Sequence, residues 1–130
     1  MNFTTQIPIS KHKNNISHKD KIMLLGSCFT ENIGNKLSIN GFETFINPFG
    51  ILYNPFSICS SLNRIINLKF LDSEDLVKVN EFWFSYEHHG VFRDEKCDNL
   101  LQTINLGITK ANLFLKQTNW LIITLGTAWV

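Results

Sequence analysis

The sequence predicts an α/β fold, a three-layer α/β/α sandwich around a mainly parallel sheet that is incomplete at its carboxyl end. Two observations carry the prediction. Short apolar runs at Ile22–Leu25, Phe42–Ile46 and Trp120–Leu125 have the length and composition of buried strands. Between them lie segments whose apolar residues recur every three or four positions, the period of a helix with one buried face. Strands alternating with such helices give parallel pairing.

Each element has a local reason. Residues 1–20 are polar and aperiodic and read as an extended arm or loop. After the strand Ile22–Leu25, Phe29, Ile33 and Leu37 give a helix over 29–40 one apolar stripe, and Gly41 suits a left-handed C′ position. Phe42–Ile46 follows as a second strand. Asn47-Pro48 and Asn54-Pro55 mark turns, because a residue before proline is pushed out of the α region. Asn54 reads as an N-cap with Pro55 at the first helical position, and Ile58, Leu62, Ile65 and Ile66 form that helix's apolar face. An acidic helical start, Asp72-Ser73-Glu74-Asp75, leads to the aromatic segment Phe82-Trp83-Phe84. The longest helix spans about Asp98 to Gln117, with Leu101, Ile104, Ile108, Ala111 and Leu115 toward the core, and Trp120–Leu125 is the last strand. There is no internal repeat, low-complexity tract or linker.

Composition narrows the class of function. At 130 residues, with 44% hydrophobic and 18% charged residues, the chain is one domain with room for a single core. A formal net charge of +1 gives no electrostatic reason for nucleic acid or an anionic membrane as partner. Lys11, Lys13, Lys19 and Lys21 are dispersed among polar residues with no long apolar run behind them, so no segment reads as a signal peptide or a membrane span. The eleven phenylalanines suit an AT-rich coding bias better than a functional signal. Three cysteines, Cys28, Cys59 and Cys97, leave at least one unpaired and form no C-x-x-C pair, which fits a reduced, cytoplasmic chain. The sequence stops at Val130 just after an apolar run and a Gly-Thr pair, so residues 21–130 are expected to be the amino-terminal part of a longer domain.

The stretch that carries chemistry is Leu24-Leu25-Gly26-Ser27-Cys28-Phe29-Thr30. A strand that stops at a glycine, followed at once by a hydroxyl, a thiol and a helix, presents a nucleophile at the carboxyl end of a sheet. Unbonded N–H groups at the helix N-terminus favour developing negative charge there. Such a turn suits acyl transfer.

This stretch resembles the signature of the GSCFA family, named for a Gly-Ser-Cys-Phe-Ala run, with Thr30 in place of the alanine. Three later blocks resemble the family in order: Asn47-Pro48-Phe49-Gly50-Ile51-Leu52-Tyr53-Asn54-Pro55, then Trp83 to Phe92, then Leu121 to Val130. The family is similar to SGNH/GDSL-type hydrolases, which implies a flavodoxin-like sandwich and an ester-directed hydrolase or acyltransferase, acting on a carbohydrate or lipid acyl group. Laid on the Gly-Asp-Ser-Leu signature, Cys28 occupies the nucleophile's place and Ser27 is its rival. A helix N-terminus favours a thiolate there, while the plain alternative is that Cys28 packs as a small buried hydrophobe.

The resemblance also implies an oxyanion hole. Gly50 and Asn47 are the candidate donors in the second block; Gly50 is equally well explained as a turn glycine with positive φ. Gly126 and Thr127 stand where a Gly-x-Asn-Asp block is expected, with Ala128 replacing the donor asparagine. A lost donor of this kind costs about a hundredfold to a thousandfold in rate. His88 and His89 are candidates for general base or carbonyl polarisation; on an extended segment they would point to opposite faces, and otherwise they are loop histidines. SGNH enzymes take their base from an Asp-x-x-His block, which this sequence lacks, so little turnover is expected of it.

Other readings are plainer. Cys28, Cys59, Cys97, His88 and His89 have no familiar zinc spacing, and no cofactor motif is present. Arg64 and Arg93 read as solvated, and the aromatic cluster as core packing. Against the enzyme stand a non-catalytic binding module on the same fold, and a chain that leaves an apolar sheet edge exposed.

Overall fold

The apolar run after Lys21 forms the central strand of the fold, β1 (Lys21–Gly26), and everything else is arranged about it. The structure is a computed structural model and describes residues 7, 8, 10 and 13–126. In chain order the elements are β1, α1 (Cys28–Ile39), β2 (Glu43–Ile46), α2 (Pro55–Asn67), β3 (Leu76–Val79), β4 (Phe82–Ser85), β5 (Arg93–Asp94), α3 (Cys97–Leu115) and β6 (Trp120–Thr124). One sheet has the order β2-β1-β6, with β1 parallel to both neighbours. The other, β3-β4-β5, is antiparallel.

Helices cover both faces of the parallel sheet, as the sequence predicted. Met23 and Leu25 point to one side, where they join Ile58 and Ile65 of α2 and Leu100, Ile104, Ile108 and Ala111 of α3 in the main core. Phe45 of β2 faces the same way and meets Phe114 of α3, with ring centroids 5.3 Å apart. Ile22 and Leu24, fully buried, face the other side with Ile46, the pairing partner of Leu24, and this is the α1 side. A β1 buried on both faces is why its sequence is a continuous apolar run rather than an alternating one.

The structure corrects the expected packing of α1. Its buried residues are Thr30 and Gly34, whereas Phe29 on the expected stripe is 62% exposed. A Cβ on Gly34 would lie 2.8 Å from Ile46 Cδ1, so the helix seats itself on its small residues and approaches the sheet too closely for a larger face. In α2, Asn54 caps as predicted, its side chain accepting from Ser57 N–H at 2.8 Å with Pro55 at the first position. Ile66, expected on the buried face, is exposed. The helix ends on Leu68 in the left-handed region, and Asn112 of α3 donates to the carbonyls of Ile65 and Ile66 there.

The antiparallel sheet was not foreseen. Asp72 caps a 3₁₀ turn over Ser73–Asp75, and the chain then runs through β3 and β4, where the sequence reading saw only an aromatic segment. Trp83 and Leu76 share one face of this hairpin and pack against the main core. Arg64, expected to be solvated, is half-buried: its Nε and Nη2 donate to both carboxylate oxygens of Glu87 at 2.5 and 2.7 Å. Its Nη1 reaches the carbonyls of Lys69 and Phe70 at 3.3 and 3.4 Å, so one guanidinium fastens the turn after β4 to α2.

Among the described residues β6 has no neighbour on its outer side, and Leu121 and Ile123 on its core-ward face are 43% and 45% exposed. The expected exposed apolar edge is therefore present. No described helix is long and apolar enough to cross a membrane. Thr127 to Val130 lie outside the described residues.

The fit of α1 on β2 is testable. Gly34→Val should destabilise the fold by about 1–3 kcal/mol through overpacking, read as a lower urea midpoint. Combined with Ile46→Ala, which opens space at that contact, the loss should be smaller than the sum of the two single losses. Additive losses would place the contact elsewhere.

Candidate functional site

The site is built where β1 ends. Gly26 has φ +137°, and a Cβ there would lie 2.0 Å from the carbonyl oxygen of Thr124, so only glycine lets β1 and β6 meet at this point. Ser27 follows as the N-cap of α1, yet its side chain makes no capping hydrogen bond. Its hydroxyl instead lies 2.9 Å from Thr124 Oγ1, and its N–H donates to Thr124 at 3.3 Å (carbonyl) and 3.2 Å (hydroxyl). Thr30 Oγ1 also meets Thr124 Oγ1, which joins three hydroxyls beneath the turn.

The two candidate nucleophiles therefore sit in opposite environments. Ser27 is 6% exposed and its hydroxyl is engaged, while Cys28 is an exposed free cysteine at the first position of α1. The first intrahelical hydrogen bond is donated by Glu31 N–H to Ser27 O at 3.3 Å. The N–H groups of Cys28, Phe29 and Thr30 precede it and face out of the helix end.

The second block is tied to the first through Gly26. Asn47, at φ +43°, accepts from Gly26 N–H through Oδ1 at 2.9 Å, and its own N–H donates to Leu24 O. Leu52 N–H donates to Gly26 O at 2.9 Å, so both peptide groups of Gly26 are held by the 47–52 loop. Asn47 Nδ2 is buried and has no partner among the described residues. An unpaired buried donor costs about 1–3 kcal/mol, which marks this atom for explanation. Gly50 has φ +77° and its N–H donates to Asn47 O at 2.8 Å, so that N–H is engaged within the turn.

The third block closes on the second. His89 N–H donates to Phe49 O at 2.9 Å, and a Cβ on Gly50 would fall 2.4 Å from His89 Cβ. His88 and His89 occupy a turn rather than an extended strand, and they still part company. The His88 ring is buried and stacked on Phe49 with centroids 4.1 Å apart, and Nδ1 is 2.9 Å from Ser85 Oγ. His89 is half-buried, and its Nδ1 accepts from Val91 N–H at 3.3 Å. In the fourth block, Gly126 N–H donates to Tyr53 O at 2.9 Å. Thr127 and Ala128 lie outside the described residues.

Hydrogen bonds thus bring Gly26, Ser27, Asn47, Gly50, His89, Thr124 and Gly126 into one continuous assembly, with exposed Cys28 at its surface. Sequence reasoning missed Thr124, which it placed as an ordinary strand residue; the signal was a lone hydroxyl closing an apolar run. It also missed Thr30 and Ser85, which carry no sequence pattern of their own. Among the described residues, no group of three or more His, Cys, Asp or Glu side chains is arranged to hold a metal ion.

Two charges near His88 shape its titration. Burial pushes the His88 imidazole down to about 4, against an upward pull from Glu87 and a further downward push from Arg64. The hydrogen bonds from Arg64 hold the Glu87 carboxyl below its ordinary range. In the unfolded chain His88 takes up its proton near pH 6.5, before the folded one does, so folding is favoured fully above pH 6.5 and less as pH falls toward 4. The loss expected from this group is of the order of 3 kcal/mol. Denaturant midpoints measured from pH 7 to pH 4.5 should fall steeply, and His88→Phe, which keeps a ring on Phe49, should flatten that limb.

The sequence model of the GSCFA family matches residues 21–130, from the start of β1 through all four blocks. Searches of the curated proteins and of the solved structures found no match. With the strand–turn–helix at Gly26-Ser27-Cys28 near the start of the matched region, the chain belongs to the GSCFA family.

Proposed function

We propose that this chain carries a thiol-based acyl-transfer site of SGNH-like type, acting on a carbohydrate or lipid acyl ester, with Cys28 as nucleophile. The observation that carries the reading is the contrast at one turn: Ser27 is buried and bonded, whereas Cys28 is exposed at the N-terminus of α1. The thiolate sulfur attacks the ester carbonyl carbon, and the carbonyl oxygen gains negative charge. That charge is met by the open N–H groups of the first turn of α1 and by Asn47 Nδ2, a donor held close through the bond of its Oδ1 to Gly26. Collapse expels the alcohol, which takes up a proton, and leaves a thioester on Cys28; water or a second alcohol then releases the acyl group.

Proton transfer needs a base, and His88 is a weak one, because burial disfavours the protonated imidazole. In SGNH-like enzymes the base comes from an Asp-x-x-His block, a pattern found at none of the aspartates of residues 1–130. Three free cysteines suit a reducing compartment, and the cytoplasm is the proposed location. A second reading, a binding module without catalysis, draws on the engaged N–H groups of Gly50 and Gly126.

Reactivity separates the two. Cys59 is an exposed free cysteine as well, so exposure alone predicts similar alkylation of Cys28 and Cys59. At pH 7, iodoacetamide should modify Cys28 at least about tenfold faster; equal rates would sink the thiol assignment. p-Nitrophenyl acetate should leave an acetyl group on Cys28, detectable by peptide mass. Asn47→Asp keeps the acceptor for Gly26 and removes the Nδ2 donor, and should slow acylation about a hundredfold. An unchanged rate in a folded variant would remove Asn47 from the oxyanion site.

A further inference from the structure

Antiparallel sheets with one face on a core ordinarily turn polar residues outward. The hairpin β3–β4 does not. Leu76 and Trp83 face the core, and the opposite face carries Val77, Val79, Phe82 and Phe84, paired Val77 to Phe84 and Val79 to Phe82. Tyr86, 88% exposed, stands beside it. Val77, Val79, Phe84, Ser85, Tyr86 and His88 line an open cavity of about 370 Å³ here. That is within the range of roughly 300–1,000 Å³ common for small-molecule sites.

One polar group in that lining is placed for a ligand. Ser85 Oγ accepts from Glu87 N–H at 3.2 Å and lies 2.9 Å from His88 Nδ1, with its hydroxyl hydrogen still available to that nitrogen. His88 Nε2 makes no hydrogen bond among the described residues, and in the tautomer in which the Ser85 hydroxyl donates to Nδ1 it carries the ring's proton. None of the lining side chains is an acid, a lysine or an arginine, so neither an anion nor a cation would be matched there. A polyol would strand its hydroxyls against Val77, Val79 and Phe84.

We infer that the groove on the outer face of β3–β4 binds a neutral acyl compound, its apolar chain along Val77, Val79 and Phe84 and its carbonyl oxygen accepting from His88 Nε2–H. The inference concerns binding alone and does not rest on Cys28 chemistry. Burial that keeps the imidazole neutral also keeps the site free of charge at neutral pH.

Titration of the ¹⁵N-labelled chain with methyl octanoate tests it. Saturable shifts should appear at the amides of Val77, Phe84 and Tyr86 and at His88 Nε2. Val79→Lys, at a half-exposed position, should weaken binding at least about tenfold by placing a charge in the groove. His88→Phe should weaken it with the remaining shifts in place, and octanoate should bind at least about tenfold more weakly than its methyl ester. No saturable shift, shifts centred on Leu121 and Ile123, or equal binding of ester and carboxylate would each overturn the inference.

Discussion

Gly26 is bound on every side available to a residue without a side chain. Its N–H is taken by Asn47 Oδ1, its carbonyl by Leu52 N–H, and the place of its missing Cβ by the Thr124 carbonyl. Through this one residue the central strand is joined to the 47–52 loop and to β6. The loop in turn holds the histidine turn through the bond from His89 N–H to Phe49 O. A larger residue at 26 would separate β1 from β6, and with them the hydroxyl cluster from the turn that bears Cys28.

Around that junction the polar groups are divided between positioning and presentation. Ser27 and Thr30 each bond to Thr124, Gly50 and Gly126 spend their N–H groups on nearby carbonyls, and Arg64 binds Glu87 to set the turn before His88. Among the described residues, the groups without a hydrogen bond here include the Cys28 thiol, the first N–H groups of α1, Asn47 Nδ2 and His88 Nε2. Unmade hydrogen bonds in a protein that satisfies most of its others are where a ligand gains most by arriving.

Much of the parallel sandwich was legible because its signals are local. The apolar run of β1, the Asn54-Pro55 start of α2 and the period of α3 each declare themselves within a few residues. Other features depended on distant partners. Gly34 marks a contact surface only once Ile46 is opposite it, and of the stripe Phe29, Ile33 and Leu37 the first residue is exposed while the other two are half-buried. The hairpin β3–β4 escaped because its outward side is apolar too, which erases the alternation that identifies such strands. At the site, Gly26, Ser27 and Cys28 were noticeable as a strand–turn–helix and Asn47 only through the family resemblance, whereas Thr124 acquired meaning only through its contact with Ser27, almost the whole chain away.

That separation has a consequence for synthesis. The start of β1 is hydrogen-bonded to Asn119, 98 residues later in the chain, and β1 pairs with β6 along its whole second edge. A ribosome that has made β1, α1 and β2 has produced a central strand with one edge open, which stays open until Trp120 to Thr124 have left the exit tunnel. Pairings of such long range form late and slowly, so the nascent chain carries its most apolar strand half-paired through most of its own translation.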